Sequence, residues 1–341
     1  MSAAQALRTE IAEAAPQEKA QAIADDFTRQ LDAWYSRPET FDNDLDRQIA
    51  KWYADAPNVF PKRPYFSPSS ATDCPRAQYF KQLRAKKDAQ PKQPHQGRWA
   101  GIGTVIGGMI QRDVLAMERN MPDATFRFER TERGEPMFED FAKVNTPVTH
   151  GGHAFHLFGT CDGIMTYVDP ETGEVLRVGL EIKSKQTTSA KTSQYSMRTP
   201  EEKHVAQCAV YSRMYNVDYY VILYVNASKK KWSYEPEEYA DTPDIRAFGV
   251  YFTDSDREAI FDGFSDILDA VKAKTPPPLS LENWTFNNFK TACVTSLSED
   301  ELADIRAKVA KVRKSGLPEF KKRNYTDALA EIEDIRKEAD A

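Results

Sequence analysis

The segment GLEIKSK, residues 179–185, places charged side chains in what is otherwise the sequence of a strand. Alternate residues of a strand lie on the same face. Glu181, Lys183 and Lys185 therefore share one face, and Ile182 lies on the other. Three charged groups in a row on a strand with apolar neighbours require either full exposure to water or a chemical role.

A second short segment, FGTCDG at residues 158–163, indicates that role. It is followed by the turn sequence DPETGE and then by VLRVGLEIKSK. Strand-like segments on both sides of a polar turn predict an antiparallel hairpin, with Asp162 in the strand beside Glu181. Two adjacent carboxylates repel each other and are costly to bury. Mg²⁺ removes that cost, because it binds one or two carboxylates together with waters and substrate phosphate.

Lys183 next to such a cation suits phosphodiester hydrolysis. The metal activates water, and the lysine positions that water or offsets charge on the phosphate. Taken alone, the Glu-x-Lys pattern is more typical of an exposed, salt-bridged strand than of an active site.

The composition is that of a soluble globular chain of 341 residues with 40% hydrophobic residues, 29% charged residues and a net charge of −6. No apolar run approaches the ~20 residues that cross a bilayer. The N-terminus MSAAQALRTEIAEAAPQEKAQ lacks the apolar centre of a signal peptide. We expect a cytoplasmic protein without membrane contact.

The hydrophobic pattern divides the chain into three regions. Residues 1–60 are predicted to be a helical N-terminal extension, in which Leu31 and Trp34 are spaced for one helix face. Residues 61–280 mix strand-like and helix-like segments and are predicted to form the core. Residues 281–341 are predicted to be a helical, highly charged C-terminal tail.

Four motifs follow one another in the core, namely SSATDCPRAQYF (residues 69–80), GTCDG (159–163), EIKSK (181–185) and HVAQCAVY (204–211). Their order and spacing resemble the motif series of the PD-(D/E)XK nuclease superfamily, nearest to its RecB-like exonuclease branch in a phage-type form. The resemblance implies a restriction-endonuclease-like α/β core with a central mixed β-sheet flanked by helices. It further implies a Mg²⁺- or Mn²⁺-dependent DNA exonuclease of phage or bacterial recombination, replication or repair, located in the host cytoplasm if phage-encoded.

The resemblance also implies roles for individual residues. Asp162, Glu181 and the carbonyl of Ile182 would bind the metal. Lys183 would be the catalytic lysine, and Gln207 would support it.

On the predicted helix that carries Gln207, His204 and Tyr211 lie on the same face. We expect them to have core or supporting roles. The branch commonly has a metal-binding histidine in the helix before the strands, where this chain has Gly107. Two alternatives follow: the metal site has one protein ligand fewer, or Gln111 or Asp113, one turn later, reaches it. Of these two residues Gln111 is favoured, because it shares a helix face with Gly107.

The predicted contacts to DNA come from basic and polar residues near the motifs: Ser69, Arg76, Lys185, Lys191 and Lys203. Contacts of this kind to phosphate supply affinity without sequence information. Tyr79, Trp99 and Tyr195 are candidates for stacking on unpaired bases.

The expected partners are single- or double-stranded DNA ends and a single-strand-binding or recombination protein. Two alternatives stay open. One is a structure-specific DNA endonuclease, and the other is an inactive nuclease-fold subunit that binds DNA.

Some relatives hold an iron–sulfur cluster on four cysteines, one near the first motif and three near the C-terminus. Here Cys74 is present, but Cys293 is the sole cysteine beyond Cys208. Because a four-cysteine cluster lacks its ligands, we predict a colourless protein. Visible iron–thiolate absorbance with stoichiometric iron in the purified chain would contradict this prediction.

Overall fold

A computed structural model of the chain describes residues 3–89, 93–228 and 230–340, with side chains from residue 14 to residue 339. The first two residues of the predicted N-terminal extension and the last residue of the predicted tail lie outside the described residues. No helix in the described segments is both long enough and apolar enough to span a membrane.

Ten α-helices occur in these segments: α1 (Ala3–Tyr35), α2 (Asn43–Ala54), α3 (Pro75–Gln82), α4 (Pro94–Asn120), α5 (Glu202–Tyr215), α6 (Pro236–Asp241), α7 (Asp254–Ala273), α8 (Lys290–Thr295), α9 (Glu299–Arg313) and α10 (Glu319–Asp340). The described strands are β1 (Tyr65–Phe66), β2 (Phe126–Phe128), β3 (Val144–His150), β4 (His153–Gly159), β5 (Gly163–Val168), β6 (Val175–Lys185), β7 (Tyr219–Asn226) and β8 (Ile245–Tyr251).

The central sheet has five strands in the order β2-β5-β6-β7-β8. β6 and β7 are parallel, and the other neighbours are antiparallel. A smaller sheet has the order β1-β4-β3. The predicted α/β architecture, a central mixed sheet flanked by helices, is confirmed.

Helices cover both faces of the central sheet. Leu180 and Ile182 of β6 pack on one face with apolar residues of α1 and α4. On the other face, residues of β7 pack with α5, α7 and the small sheet. The alternation of β6 thus directs Ile182 to the first face and Glu181 to the second.

The predicted hairpin exists, with β5 and β6 joined through the turn 169–174, where Gly173 has a φ of 71°. The position of FGTCDG differs from the prediction. Phe158 and Gly159 end β4 in the small sheet, and Asp162 lies in the bend before β5 rather than inside the partner strand. The segment therefore links the two sheets, because the chain must turn there from one to the other.

Helix α1 lies directly against the central sheet. Ile23, Phe27 and Leu31 are buried in the core beside β7 and β8. Gln30 caps the free edge of β2, since its Oε1 accepts from the N–H of Phe126 at 3.1 Å and its Nε2 donates to the carbonyl of the same residue at 3.5 Å.

The last three helices have a core of their own, which includes Trp284, Leu302 and Ile332. Arg76 of α3 connects this unit to the rest of the chain. Its side chain is 1% exposed, donates to the carbonyl of Pro277 at 2.6 Å and forms an ion pair with Glu301.

Gly249 of β8 is where α1 approaches the sheet most tightly. A Cβ at this position would lie 1.8 Å from the carbonyl oxygen of Ala20, a backbone atom that cannot swing aside. We expect Gly249→Ala to push α1 off the sheet and to destabilise the fold by about 3 kcal/mol, the upper part of the usual range for overpacking.

The matched control is Gly263→Ala on α7, where nothing lies within 4 Å of the added Cβ. Alanine there should be neutral or stabilising by up to about 1 kcal/mol, because it favours helix over glycine. Chemical denaturation of both variants measures the difference. Equal stability of the two variants would contradict the close packing of α1.

Candidate active site

Asp162 and Glu181 meet where the β5–β6 ladder ends. The last paired residues are Gly163 and Leu180, so Asp162 and Glu181 occupy the next position on each side. The N–H of Ile182 donates to Asp162 Oδ2 at 2.7 Å, in place of a bond to a strand backbone. This bond fixes the Asp162 carboxyl group beside β6.

The Glu181 carboxyl group is buried, and Asp162 beside it is half-buried. Burial raises the pKa of Asp162 to about 6, although the N–H of Ile182 opposes the shift. Glu181 is 2% exposed, and burial together with the charge of Asp162 raises its pKa to about 8. Among the described residues Glu181 Oε2 has no hydrogen-bond partner. Full ionisation of the pair therefore requires additional positive charge.

Lys183 supplies part of that charge. Its Nζ lies 2.5 Å from Glu181 Oε1 and donates to Gln207 Oε1 at 3.1 Å. Burial acts to lower the pKa of Lys183, but the neighbouring Glu181 carboxylate raises it by more, and the net shift is upward. The amine is thus held protonated between a carboxyl and an amide oxygen.

Helix α5 presents the supporting residues on one face, as its periodicity predicted. Gln207 Nε2 donates weakly to the Tyr211 hydroxyl at 3.4 Å. The Nδ1 atom of His204 lies 2.9 Å from the Tyr224 hydroxyl. Burial, and after it the charge of Lys183, lowers the pKa of His204 to about 3, so this ring is neutral at neutral pH.

Helix α4 reaches the site through Gln111. This side chain is buried, and its Nε2 donates to the backbone carbonyl of Asp162 at 2.9 Å. Its Oε1 atom is also buried and has no partner in the described segments. Asp113 instead accepts from the Tyr35 hydroxyl at 2.7 Å, on the side of α1. A Cβ added to Gly107 would meet nothing within 4 Å, so the position expected for histidine is open space.

The donor set suits a hard cation. The N–H and C=O of one strand residue point to the same edge of the strand, so the carbonyl of Ile182 points toward Asp162, as its N–H does. The carbonyls of successive strand residues alternate between the two edges, and Lys185 is three residues after Ile182. Its carbonyl therefore points to the opposite edge, where the N–H of Ala227 donates to it at 2.8 Å. Two carboxylates and one carbonyl fit Mg²⁺ or Mn²⁺, which complete their shells with water and substrate oxygens. In the described part of the chain, no group of three or more His, Cys, Asp or Glu side chains could hold a metal ion.

The predicted DNA-binding residues are not all at the surface. Arg76 is in the interior, paired with Glu301, and thus does not reach a ligand; this corrects the prediction. Lys185 forms an ion pair with Glu201, and Lys203 lies 3.2 Å from the same carboxylate. Lys191 is exposed.

Ser69 lines a cavity next to α3. Of the aromatic residues considered for stacking, Trp99 and Tyr195 are exposed, whereas Tyr79 is buried. Stacking on Tyr79 is therefore excluded in this conformation.

The four cysteines are buried and free. Cys74 precedes the first residue of α3, and it packs in one small cluster with Cys293.

Two residues of the site were missed by the sequence analysis, Glu201 and Tyr224. The Tyr224 hydroxyl accepts from the N–H of Glu201 at 2.9 Å and contacts His204. The pKa of Glu201 is lowered to about 2: burial opposes this shift, and the Lys185 hydrogen bond and charge outweigh it. The alternation of β7 could have identified Tyr224, because it lies on the same strand face as Tyr220 and Ile222, the face that packs against α5.

The chain matches no family model and no curated protein. Among solved structures it is similar to SSO0001, with 13% identity, 74% of this chain and 95% of that one covered, and a TM-score of 0.38. It is also similar to an alkaline exonuclease, LHK-Exo from Laribacter hongkongensis, with 10% identity, coverage of 66% and 93%, and a TM-score of 0.36. The structure of LHK-Exo in complex with dAMP gives 10% identity, coverage of 61% and 88%, and a TM-score of 0.35. TM-scores this low establish neither fold nor activity for this chain.

The adjacent carboxyl groups of Asp162 and Glu181 lead to a prediction about the effect of a metal ion on the melting temperature. We expect Mg²⁺ or Mn²⁺ to raise the melting temperature of the parent chain, because a cation that binds only the folded state stabilises it. Asp162→Asn should abolish most of that rise, since the amide keeps the bond from the N–H of Ile182 but removes one anionic ligand. Asp304→Asn, at an exposed position of α9, is the control for the charge change.

The same metal-induced rise should grow between about pH 6 and pH 8.5. Metal binds the deprotonated carboxylates, and in the metal-free fold Glu181 retains its proton up to about pH 8. Differential scanning fluorimetry across this range measures the effect. A rise that is identical in parent and Asp162→Asn would show that the pair does not bind the cation.

Proposed function

We propose that this chain is a Mg²⁺- or Mn²⁺-dependent deoxyribonuclease that hydrolyses phosphodiester bonds. The observation that supports it is the adjacent pair Asp162 and Glu181, with Glu181 buried and its Oε2 unpartnered among the described residues, and with Lys183 fixed beside it. Such an arrangement is costly in a purely structural role, since a buried carboxylate without a full set of partners destabilises the fold.

Each residue of the candidate site has a defined role in this proposal. Asp162, Glu181 and the Ile182 carbonyl hold the cation, and the bond from the N–H of Ile182 orients Asp162. When bound, the cation supplies positive charge at the scissile phosphate and lowers the pKa of water. Lys183 directs its ammonium group at the attacking water or at a phosphate oxygen, where negative charge develops.

The neighbouring side chains orient Lys183 and Asp162. Gln207 accepts one Lys183 hydrogen bond, which leaves the remaining amine protons for substrate and Glu181. Gln111 holds the Asp162 backbone from the other face of the sheet. His204 is neutral and bonded to Tyr224, so its part is to support α5 against β7 rather than to transfer a proton.

Exonuclease action is the finer form of the proposal, and it is favoured by the motif resemblance to the RecB-like exonuclease branch. Linear and covalently closed circular DNA of the same sequence separate it from the alternatives. An exonuclease degrades the linear form alone, and an endonuclease also cuts the circle. A DNA-binding subunit without activity binds DNA but cuts neither the linear nor the circular form.

We expect Lys183→Ala to lower kcat by about 10²–10³-fold, the usual loss when one group that stabilises the transition state is removed. DNA affinity should change little, because the lysine acts on developing charge rather than on the bound ground state. Cleavage of end-labelled DNA with Mg²⁺ or Mn²⁺ measures kcat, and fluorescence anisotropy measures binding.

The control is Lys272→Ala, which removes an exposed lysine of α7 far along the chain from the site. It should cut DNA as fast as the parent. If Lys183→Ala also retains parental kcat, the assignment of Lys183 is wrong.

A further inference from the structure

The polar cavity that Ser69 lines lies between α3 and the loop that precedes α8. Its volume is about 220 Å³. That is smaller than the roughly 300–1,000 Å³ of pockets for drug-sized ligands, and it suits one small ring system. Four residues that line this cavity carry polar or aromatic side chains suited to a small ring: Asp73, Gln78, Lys81 and Phe286.

Gln78, which lines this cavity, carries an unsatisfied acceptor. Its side chain is 3% exposed, and its Nε2 donates to Asp73 Oδ2 at 3.0 Å. Its Oε1 atom is buried and has no hydrogen-bond partner in the described parts of the chain. A buried acceptor without a partner costs free energy, and a ligand with an N–H or O–H donor removes that cost.

Lys81 contributes a donor on the same wall. Burial lowers its pKa, and Asp73 opposes that shift through its charge alone, without a hydrogen bond. The Nζ atom lies 4.9 Å from the centre of the Tyr65 ring. A half-buried ammonium group in this setting is best satisfied by an acceptor atom within the cavity.

Phe286 adds an aromatic face at the rim. Its side chain is 77% exposed and belongs to the short helix Trp284–Phe286 of the C-terminal unit. An exposed aromatic ring next to a polar cavity is the usual platform on which an unpaired base stacks.

One wall of the cavity packs against segments that carry the candidate active site. Ser67 and Ser69 line the cavity, and Pro68 between them packs against Gly159, where an added Cβ would lie 2.9 Å from Pro68 Cδ. The same Cβ would lie 3.7 Å from the Tyr211 ring, on the helix that carries Gln207, and Gly159 is three residues from Asp162.

We propose that this cavity holds one unpaired nucleobase of the DNA strand being cut, stacked on Phe286 and hydrogen-bonded by Gln78 and Lys81. The Watson–Crick edge of every unpaired base carries a donor next to an acceptor, which complements the Gln78 acceptor and the Lys81 donor. This inference rests on the proposed nuclease function and adds a recognition site for an unpaired nucleotide.

Phe286→Ala tests the stacking, with Phe320→Ala as the matched control, since Phe320 is also an exposed phenylalanine of the C-terminal unit, on α10. Both are made in the Lys183→Ala background with Mg²⁺, so that DNA is bound without being cut. We expect Phe286→Ala to weaken binding of a short single-stranded oligonucleotide about 5- to 100-fold, the usual cost of one lost base–aromatic stack. Phe320→Ala should bind as the background does.

Removal of single bases identifies the occupant. Abasic nucleotides are placed at each position of the oligonucleotide in turn. We expect one position at which the loss of the base weakens binding as much as Phe286→Ala does. In the Phe286→Ala protein, the same abasic nucleotide should cause almost no further loss, because the interaction is already absent.

The outcomes separate the two proposals. If Lys81→Met weakens binding while no abasic position matters, the cavity holds a phosphate and the nucleobase proposal is overturned. Equal binding by the Phe286→Ala and Phe320→Ala proteins overturns it as well, even where the parent chain cuts DNA. If the parent chain neither binds nor cuts DNA, the proposed function itself has failed.

Discussion

The carboxyl groups of Asp162, half-buried, and Glu181, fully buried, lie side by side at the point where β5 and β6 separate, and Lys183 offsets their charge only in part. Burial of an ion costs several kcal/mol after relaxation. Without further positive charge, Glu181 therefore retains its proton at neutral pH. The bond from the N–H of Ile182 and the contact of Gln111 with the Asp162 backbone hold Asp162 in place beside it.

The sheet creates this constraint through strand parity and burial on both faces. β6 lies in the middle of five strands, parallel to β7, and is covered by α1 and α4 on one face and by α5 on the other. Strands covered on both faces normally carry apolar residues on both. In β6, Glu181 and Lys183 break that rule on the face toward α5, where Gln207 accepts from Lys183 and donates to Tyr211. Local violations of the core pattern are typical of functional sites, where activity outweighs the loss of stability.

The C-terminal helices have a structural role. In our proposal they also contribute to substrate binding. They carry their own apolar core and attach to α3 through the buried Arg76, whose guanidinium bonds Pro277 and Glu301. Arg76 is thus an anchor between two parts of the chain and not a contact for phosphate. The attachment closes the cavity that contains Gln78, next to the segment that packs on Gly159. A tail that is charged in sequence therefore forms one wall of a polar cavity in the fold.

Features that depend on neighbours along the chain could be predicted from the amino-acid pattern. The period of two placed Glu181 and Lys183 on one face of β6, and the period of 3.6 placed Gln207 and Tyr211 on one face of α5, because both periods follow from backbone geometry. Tertiary structure alone decided that Asp162 lies in a bend between two sheets. It also decided that Arg76 is buried, since its partner Glu301 is 225 residues away. Such contacts depend on which distant segments pack together, and no local pattern of side chains specifies that choice.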